Sequence, residues 1–291
     1  MFVHVKAHDA WDVCSGVVDR VVGLEQVSYL SLENVTAHEF VGDTKDGGLA
    51  ICLADADDRP VPFFLQGPDG PRFEEVLGDP VTPTQWGEPA EMVLLQAPEA
   101  ANQVAELEGK CHCGGVSFRL TRPNPTSRLC SSPWPDLLVP YHSASSANPE
   151  DIKWWLCGND TKYLAGTCAC RSCRLGSGSP IQAWGFVPKA NILQSNGQPL
   201  NFETGTLKQV ESSAGCFREF CDTCGATVFW HCRERPELID VSVGLLRAIE
   251  GSRAESWLDW WTERVSFSEE AFDKKLIERL ELGLKRLRQA R

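Results

Sequence analysis

Apolar residues recur along this chain at two different periods. In "KCHCGGVSFRLTRP", Val116, Phe118 and Leu120 alternate with other residues, the period of a half-buried strand. "IKWWLCGNDTKYLAGTCACRSC" predicts strand segments around a turn at Gly158, Asn159 and Asp160. "IQAWGFVPKANI", "EFCDTCGATVFWHC" and "ELIDVSVGLL" read as further strands bounded by turn residues. Upstream, "VDRVVGLEQVSYLSLENVTAHEF" and "GGLAICLADADDRPVPFFLQGPDG" read as short strands broken by Gly, Pro and Asp. Near the end the period lengthens. Phe272, Leu276, Leu280, Leu284 and Leu287 form one apolar stripe at helical spacing, with Ser266 as N-cap and Glu269 as its capping-box partner. The pattern predicts a mainly β fold closed by a C-terminal amphipathic helix packed on it.

Two irregular stretches divide this pattern. "APEAANQVAELEG" (97–109) reads as a linker or short helix between an N-terminal region, 1–105, and a second one, 106–291. "NPTSRLCSSPWPDLLVPYHSASSANPED" (124–151) is rich in Pro and Ser and reads as a long loop, a feature more often tied to function than to core. No internal repeat stands out.

Composition narrows the class. Hydrophobic content of 42% and charged content of 23% over 291 residues suit a soluble globular protein with a sizeable core. No apolar run is long enough to cross a bilayer. The start, "MFVHVKAHDAWDVC", has no charged segment leading into an apolar one, so a cytoplasmic location is expected. A formal net charge of −12 disfavours nucleic acid and anionic membrane surfaces as partners. A small molecule is the expected partner, and self-association is compatible with the sequence.

The chain has 13 cysteines, an odd number, which argues against a disulfide framework. Seven are clustered: Cys111 and Cys113 as C-x-C, Cys168, Cys170 and Cys173 as C-x-C-x-x-C, and Cys221 and Cys224 as C-x-x-C before Gly225. The other six, Cys14, Cys52, Cys130, Cys157, Cys216 and Cys232, are scattered, and most of them read as small buried hydrophobes. Two knuckle-like pairs that lead into strands would supply four thiolates, a closed structural zinc site that staples distant strands. The triplet would then be a three-thiolate site with a fourth position open to water or a thiol. Three other readings stand beside this one. The pairs hold no metal; the triplet takes a fourth ligand from His142, His231 or Cys157 and is structural; or the triplet is a redox dithiol.

"GKCHCGGVSF", "CACRSC" and "FCDTCGATVFW", in this order, resemble the signature of the glutathione-dependent formaldehyde-activating enzyme family, which also includes centromere protein V. The resemblance covers roughly residues 109–250. It implies a zinc-stapled β-tent fold, with residues 1–105 read as a degenerate, zinc-free lobe of the same fold. It implies a structural zinc on Cys111, Cys113, Cys221 and Cys224, and a catalytic zinc on Cys168, Cys170 and Cys173. It also implies carbon–sulfur lyase activity on a thiol adduct, with glutathione as co-substrate. The gap between Cys113 and Cys168 is longer than is usual in the family, and the sequence resembles its longer fungal members.

Arg171 and Arg174 flank the triplet and are candidate partners for glutathione carboxylates. Trp184 and Phe186 are candidate pocket walls. Tyr141 and His142 are candidates for acid–base chemistry, and Glu219 precedes the second knuckle. Against the lyase reading stand two others. One is a tailoring enzyme that uses the same zinc on a carbonyl-bearing metabolite; the other is a non-catalytic, zinc-stapled interaction module.

Overall fold

The computed structural model describes residues 2–5, 10–17, 35–56, 59–67, 104–139 and 147–289. Two short hairpins come first: β1 (Phe2–Val5) with β2 (Ala10–Val13), and β3 (Asp55–Ala56) with β4 (Arg59–Pro60). Between them Ala50–Leu53 forms a 3-10 turn where the sequence pattern predicts strand. Its apolar residues meet the C-terminal helix, and that packing decides the local conformation over β propensity.

The strands β5 (Glu106–Lys110), β6 (Ser117–Thr121) and β10 (Ile192–Gln194) form a small antiparallel sheet in the order β10-β6-β5. The larger sheet contains β7 (Leu156–Cys157), β8 (Lys162–Cys168), β9 (Gln182–Pro188), β11 (Leu207–Ser213), β12 (Cys216–Cys221), β13 (Thr227–Cys232), β14 (Leu238–Ser242) and β15 (Leu258–Trp260). Its order is β11-β12-β13-β14-β9-β8-β15, with β7 also on β8 and β15 parallel to β8. The alternation predicted for β6 holds: Phe118 and Leu120 are buried, and they share one core with Val187, Phe229, Ile239 and Val241 of the larger sheet. Phe118 and Phe229 lie 4.9 Å apart between ring centroids. The turn from β7 to β8 runs through Gly158, Asn159 and Asp160, all at positive φ, as those residue types suggest.

Two α-helices occur among the described residues. Helix α1 (Arg171–Ser177) follows β8 at once. Helix α2 (Lys274–Gln289) buries Leu276, Leu280, Leu284 and Leu287 of the predicted stripe, while Phe272 lies before its first residue and is half-buried. Its start differs from the predicted one. Asp273 caps it, its carboxylate accepting from the Leu276 N–H at 2.9 Å. Ser266 is used elsewhere: its N–H donates to Thr167 O at 2.8 Å and its carbonyl accepts from Ala169 N at 2.9 Å. Phe267, at φ 55°, then breaks the path, and Glu269 pairs with Arg264. Pairing with the end of β8 has taken the backbone groups that a helix start would need.

Described residues of the N-terminal region pack on the C-terminal helix. Val41, Ile51, Cys52 and Phe63 share a core with Val265 and with Ile277, Leu280 and Leu284 of α2. Gly283 is required there, since a Cβ would sit 1.9 Å from the carbonyl oxygen of Cys52. None of the described helices is long and apolar enough to cross a membrane.

Candidate metal centres and the thiol site

The four sulfurs of Cys111, Cys113, Cys221 and Cys224 all lie within 4.8 Å of one another. The first pair is carried by the turn from β5 to β6, the second by the turn from β12 to β13, where Gly225 takes φ 72°. Peptide N–H groups aim at the sulfurs: Val116 N at 3.3 Å from Cys111 Sγ, and Gly115 N at 3.4 Å from Cys113 Sγ. The Thr206 hydroxyl lies 3.0 Å from Cys221 Sγ. Desolvation pushes the Cys221 thiol up, but Thr206 and the peptide N–H groups of Cys224 and Thr223 outweigh it and bring it to about 6. Four converging thiols with donors already directed at them fit a closed tetrahedral zinc site.

Cys168, Cys170 and Cys173 make the second group, again with all sulfurs within 4.8 Å. Among the described residues this group has three members. Its geometry comes from a strand-to-helix corner. Cys168 ends β8, held there by the bridge to Ser266. Cys170 caps α1, its sulfur accepting from Cys173 N at 3.3 Å. Cys173 lies one turn on, so the helix returns its sulfur to the other two. Cys168 and Cys173 are buried and Cys170 is half-buried.

Cys173 is singled out by its neighbours. Trp184 Nε1 donates to its sulfur at 3.4 Å and Arg218 Nη2 at 3.3 Å. Hydrogen bonds from the Cys168 and Cys170 thiols, helped by the Arg218 charge and the Trp184 N–H, hold Cys173 well below the usual thiol range. Cys168 is pushed well above it by its bonds to the other two sulfurs and by burial. Negative charge therefore settles on the sulfur nearest the guanidinium.

Arg218 was not foreseen from the sequence. It lies on β12 with 6% relative exposure. Its Nε and Nη2 donate to Ser172 Oγ at 3.2 and 3.1 Å, and its guanidinium carbon is 5.7 Å from the Trp184 ring. Nη1 is buried with no hydrogen-bond partner among the described residues. The other sequence candidates are distributed as follows. Arg171 is exposed at the first position of α1. Arg174 is buried and donates to Gly16 O at 2.7 Å, beside Gly178, which caps the end of α1 opposite Cys170. Phe186 is buried against Trp154 at 4.9 Å. Glu219 points to the opposite sheet face from Arg218, bonded to His231 at 2.9 Å and Gln209 at 2.7 Å. Cys157 pairs with Lys162 at the far end of β8 from Cys168, about 20 Å along the strand. Tyr141 and His142 lie outside the described residues.

The long loop contributes to the surroundings of the triplet. Leu137 of the loop and Trp154, three residues beyond its end, share an apolar cluster with Cys168, Cys173, Trp184 and Phe186. Leu137 lies directly over Gly166 of β8, where a Cβ would be 2.5 Å from its Cδ2.

Fold and site together define a mainly β protein with two cysteine clusters that could hold zinc, one of four thiols and one of three. Residues 154–264 match the model of the family described as glutathione-dependent formaldehyde-activating enzyme. The segment includes the triplet, Arg218, Cys221 and Cys224; Cys111 and Cys113 lie outside it and join it in space. A crystal structure of a Rhodobacter sphaeroides protein, a structural genomics target, is 18% identical, with 53% of this chain and 99% of that chain covered and a TM-score of 0.30. No curated protein matches the chain.

Proposed function

We propose that the protein is a zinc-dependent carbon–sulfur lyase acting on the thiol adduct of a small electrophile, with glutathione as the thiol. Cys168, Cys170 and Cys173 would hold the catalytic zinc, and Cys111, Cys113, Cys221 and Cys224 the structural one. Bound on three thiolates, zinc supplies a site that keeps a substrate thiol as thiolate at neutral pH.

The observation that carries this reading is the buried Arg218 guanidinium on Cys173. Three thiolates exceed the charge of one zinc ion, and a substrate thiolate adds to the excess. A desolvated cation beside them offsets it, far more effectively than it would in water. Nη1 of Arg218 is buried with no partner among the described residues and would donate to an oxygen of the substrate. In adduct formation the thiol sulfur attacks the aldehyde carbon, a C–S bond forms, and the thiol proton ends on the former carbonyl oxygen. Cleavage is the reverse. Arg218 would donate to that oxygen while it carries negative charge. Trp184 also donates to Cys173, and Leu137 and Trp154 would help to keep water from the apolar flank.

That apolar flank favours a second reading, in which the same zinc serves a larger, carbonyl-bearing metabolite in a tailoring reaction. The direct test is NMR exchange spectroscopy of glutathione and formaldehyde with the purified protein. Faster interconversion with the S-hydroxymethyl adduct, lost in Cys173→Ser, is the expected result. Turnover only with a bulkier aldehyde or ketone selects the tailoring reading. No turnover with any thiol adduct sinks both and leaves the interaction module.

A further inference from the structure

Cys216 and Cys232 face each other across the hairpin formed by β12 and β13. Just outside them, Arg233 N donates to Gly215 O at 2.9 Å. That bond joins the neighbouring pair of residues, so Cys216 and Cys232 form a non-hydrogen-bonded pair. Such a pair brings its Cα atoms to about 4.5 Å, with both side chains on the same face. A disulfide needs Cα atoms roughly 4.4–6.8 Å apart. Both thiols are free, Cys216 half-buried and Cys232 buried. Burial pushes the Cys232 thiol up, partly offset by the Arg235 charge and by the N–H groups of Arg235 and Glu234, while the charge of Cys216 adds to the rise.

We propose that Cys216 and Cys232 are a redox-active cross-strand pair that closes into a disulfide by exchange with glutathione disulfide. Cys216, the more accessible thiol, attacks first. Its sulfur bonds to one glutathione sulfur, and the other glutathione leaves as thiolate. Cys232 then attacks the Cys216 sulfur and releases the second glutathione. The two cysteines lose two electrons and two protons, and glutathione disulfide becomes two glutathione thiols. No backbone movement is required, because the strand register already brings the two Cα atoms within disulfide range.

The pair lies beside the thiol site. Two positions further along β12 is Arg218, and two positions back along β13 is its cross-strand partner Trp230. Both point to the same face as the two cysteines, about 7 Å away. Closing the disulfide therefore fixes the open end of the hairpin that presents Arg218 to Cys173. This inference rests on strand register and holds whatever reaction the triplet performs.

The test is a glutathione titration of the full-length protein, quenched in acid, alkylated and mapped by mass spectrometry. Cleavage after Lys208, Arg218 and Arg233 puts Cys216 and Cys232 on different peptides. The expected species is one linked pair whose fragments assign the bond to Cys216 and Cys232, absent after reduction and absent in Cys216→Ser. Its fraction should follow the ratio of glutathione disulfide to the square of glutathione. The wild-type map alone decides the matter if that variant fails to fold. Cys216 recovered as its glutathione mixed disulfide beside alkylated Cys232, or linked instead to Cys221 or Cys224, would overturn the proposal.

Discussion

Replacing Arg218 with methionine removes one charge-assisted donor from Cys173 and two bonds from Ser172 while filling a similar volume. Each hydrogen bond to a charged partner contributes about 1.5–3 kcal/mol. Trp184 still donates to Cys173, so the thiolate keeps one of its two side-chain N–H donors. Loss of such an outer partner weakens metal binding by about 10–100-fold. Removing the cation alone leaves the buried Cys173 thiolate without its charge partner, so a lower melting temperature is expected as well, and the four-thiol site serves as the internal control for the metal readout. The assay is zinc transfer to a chromogenic chelator, read as two phases. Arg218→Met should speed one phase by about 10-fold or more and leave the other, from the four-thiol site, unchanged. Arg218→Lys keeps the charge on a shorter stem and loses the planar fork, and should fall between. Identical release kinetics in wild type and Arg218→Met would refute a role for Arg218 at the triplet.

Three further outcomes follow from packing and titration. Gly166→Ala should displace Leu137, whose Cδ2 would be 2.5 Å from the new Cβ, cost about 1–3 kcal/mol in a urea melt, and loosen residues 124–139 to limited proteolysis; unchanged stability and cleavage would contradict the contact. Gly283→Ala gains helix propensity of roughly 1 kcal/mol, yet drives a methyl group into the Cys52 carbonyl, so a net loss of stability is expected; a stabilised variant would mean that the N-terminal residues do not sit on α2. Burial holds His38 below its ordinary 6.5, although its bond to the Leu53 carbonyl works the other way. The unfolded chain then binds the extra proton first, so this contribution to stability is full above pH 6.5 and declines as pH falls below it. His38→Gln should flatten the urea-midpoint profile over that window, and an unchanged acid slope would count against the burial.

Much of this molecule can be read from its sequence, and the gaps have identifiable causes. The strands around Phe118, Trp184 and Phe229 show themselves by alternation or apolar runs, and the seven clustered cysteines by spacing alone. The helix stripe shows in the same way, because Leu276 to Leu287 meet one core. Its start does not, because Ser266 is claimed by β8, nearly a hundred residues earlier, and long-range pairing has no local signature. Arg174 looks like a ligand-binding residue by proximity in sequence, yet one helical turn carries its guanidinium to Gly16. Arg218 is hidden for the opposite reason. In "CFREFC" it reads as a polar residue on an ordinary strand, and only the docking of α1 on β12 turns that position inward. Cys216 and Cys232, with no motif between them, become a pair only through strand register.

The proposed chemistry requires the triplet to be a zinc site separate from the four-thiol staple. Zinc content per chain, measured with a thermal melt for wild type and Cys173→Ala, tests this most directly. Two zinc ions in the wild type, one in the variant and a cooperative melt in both are predicted. One zinc ion per chain in both proteins would contradict the account.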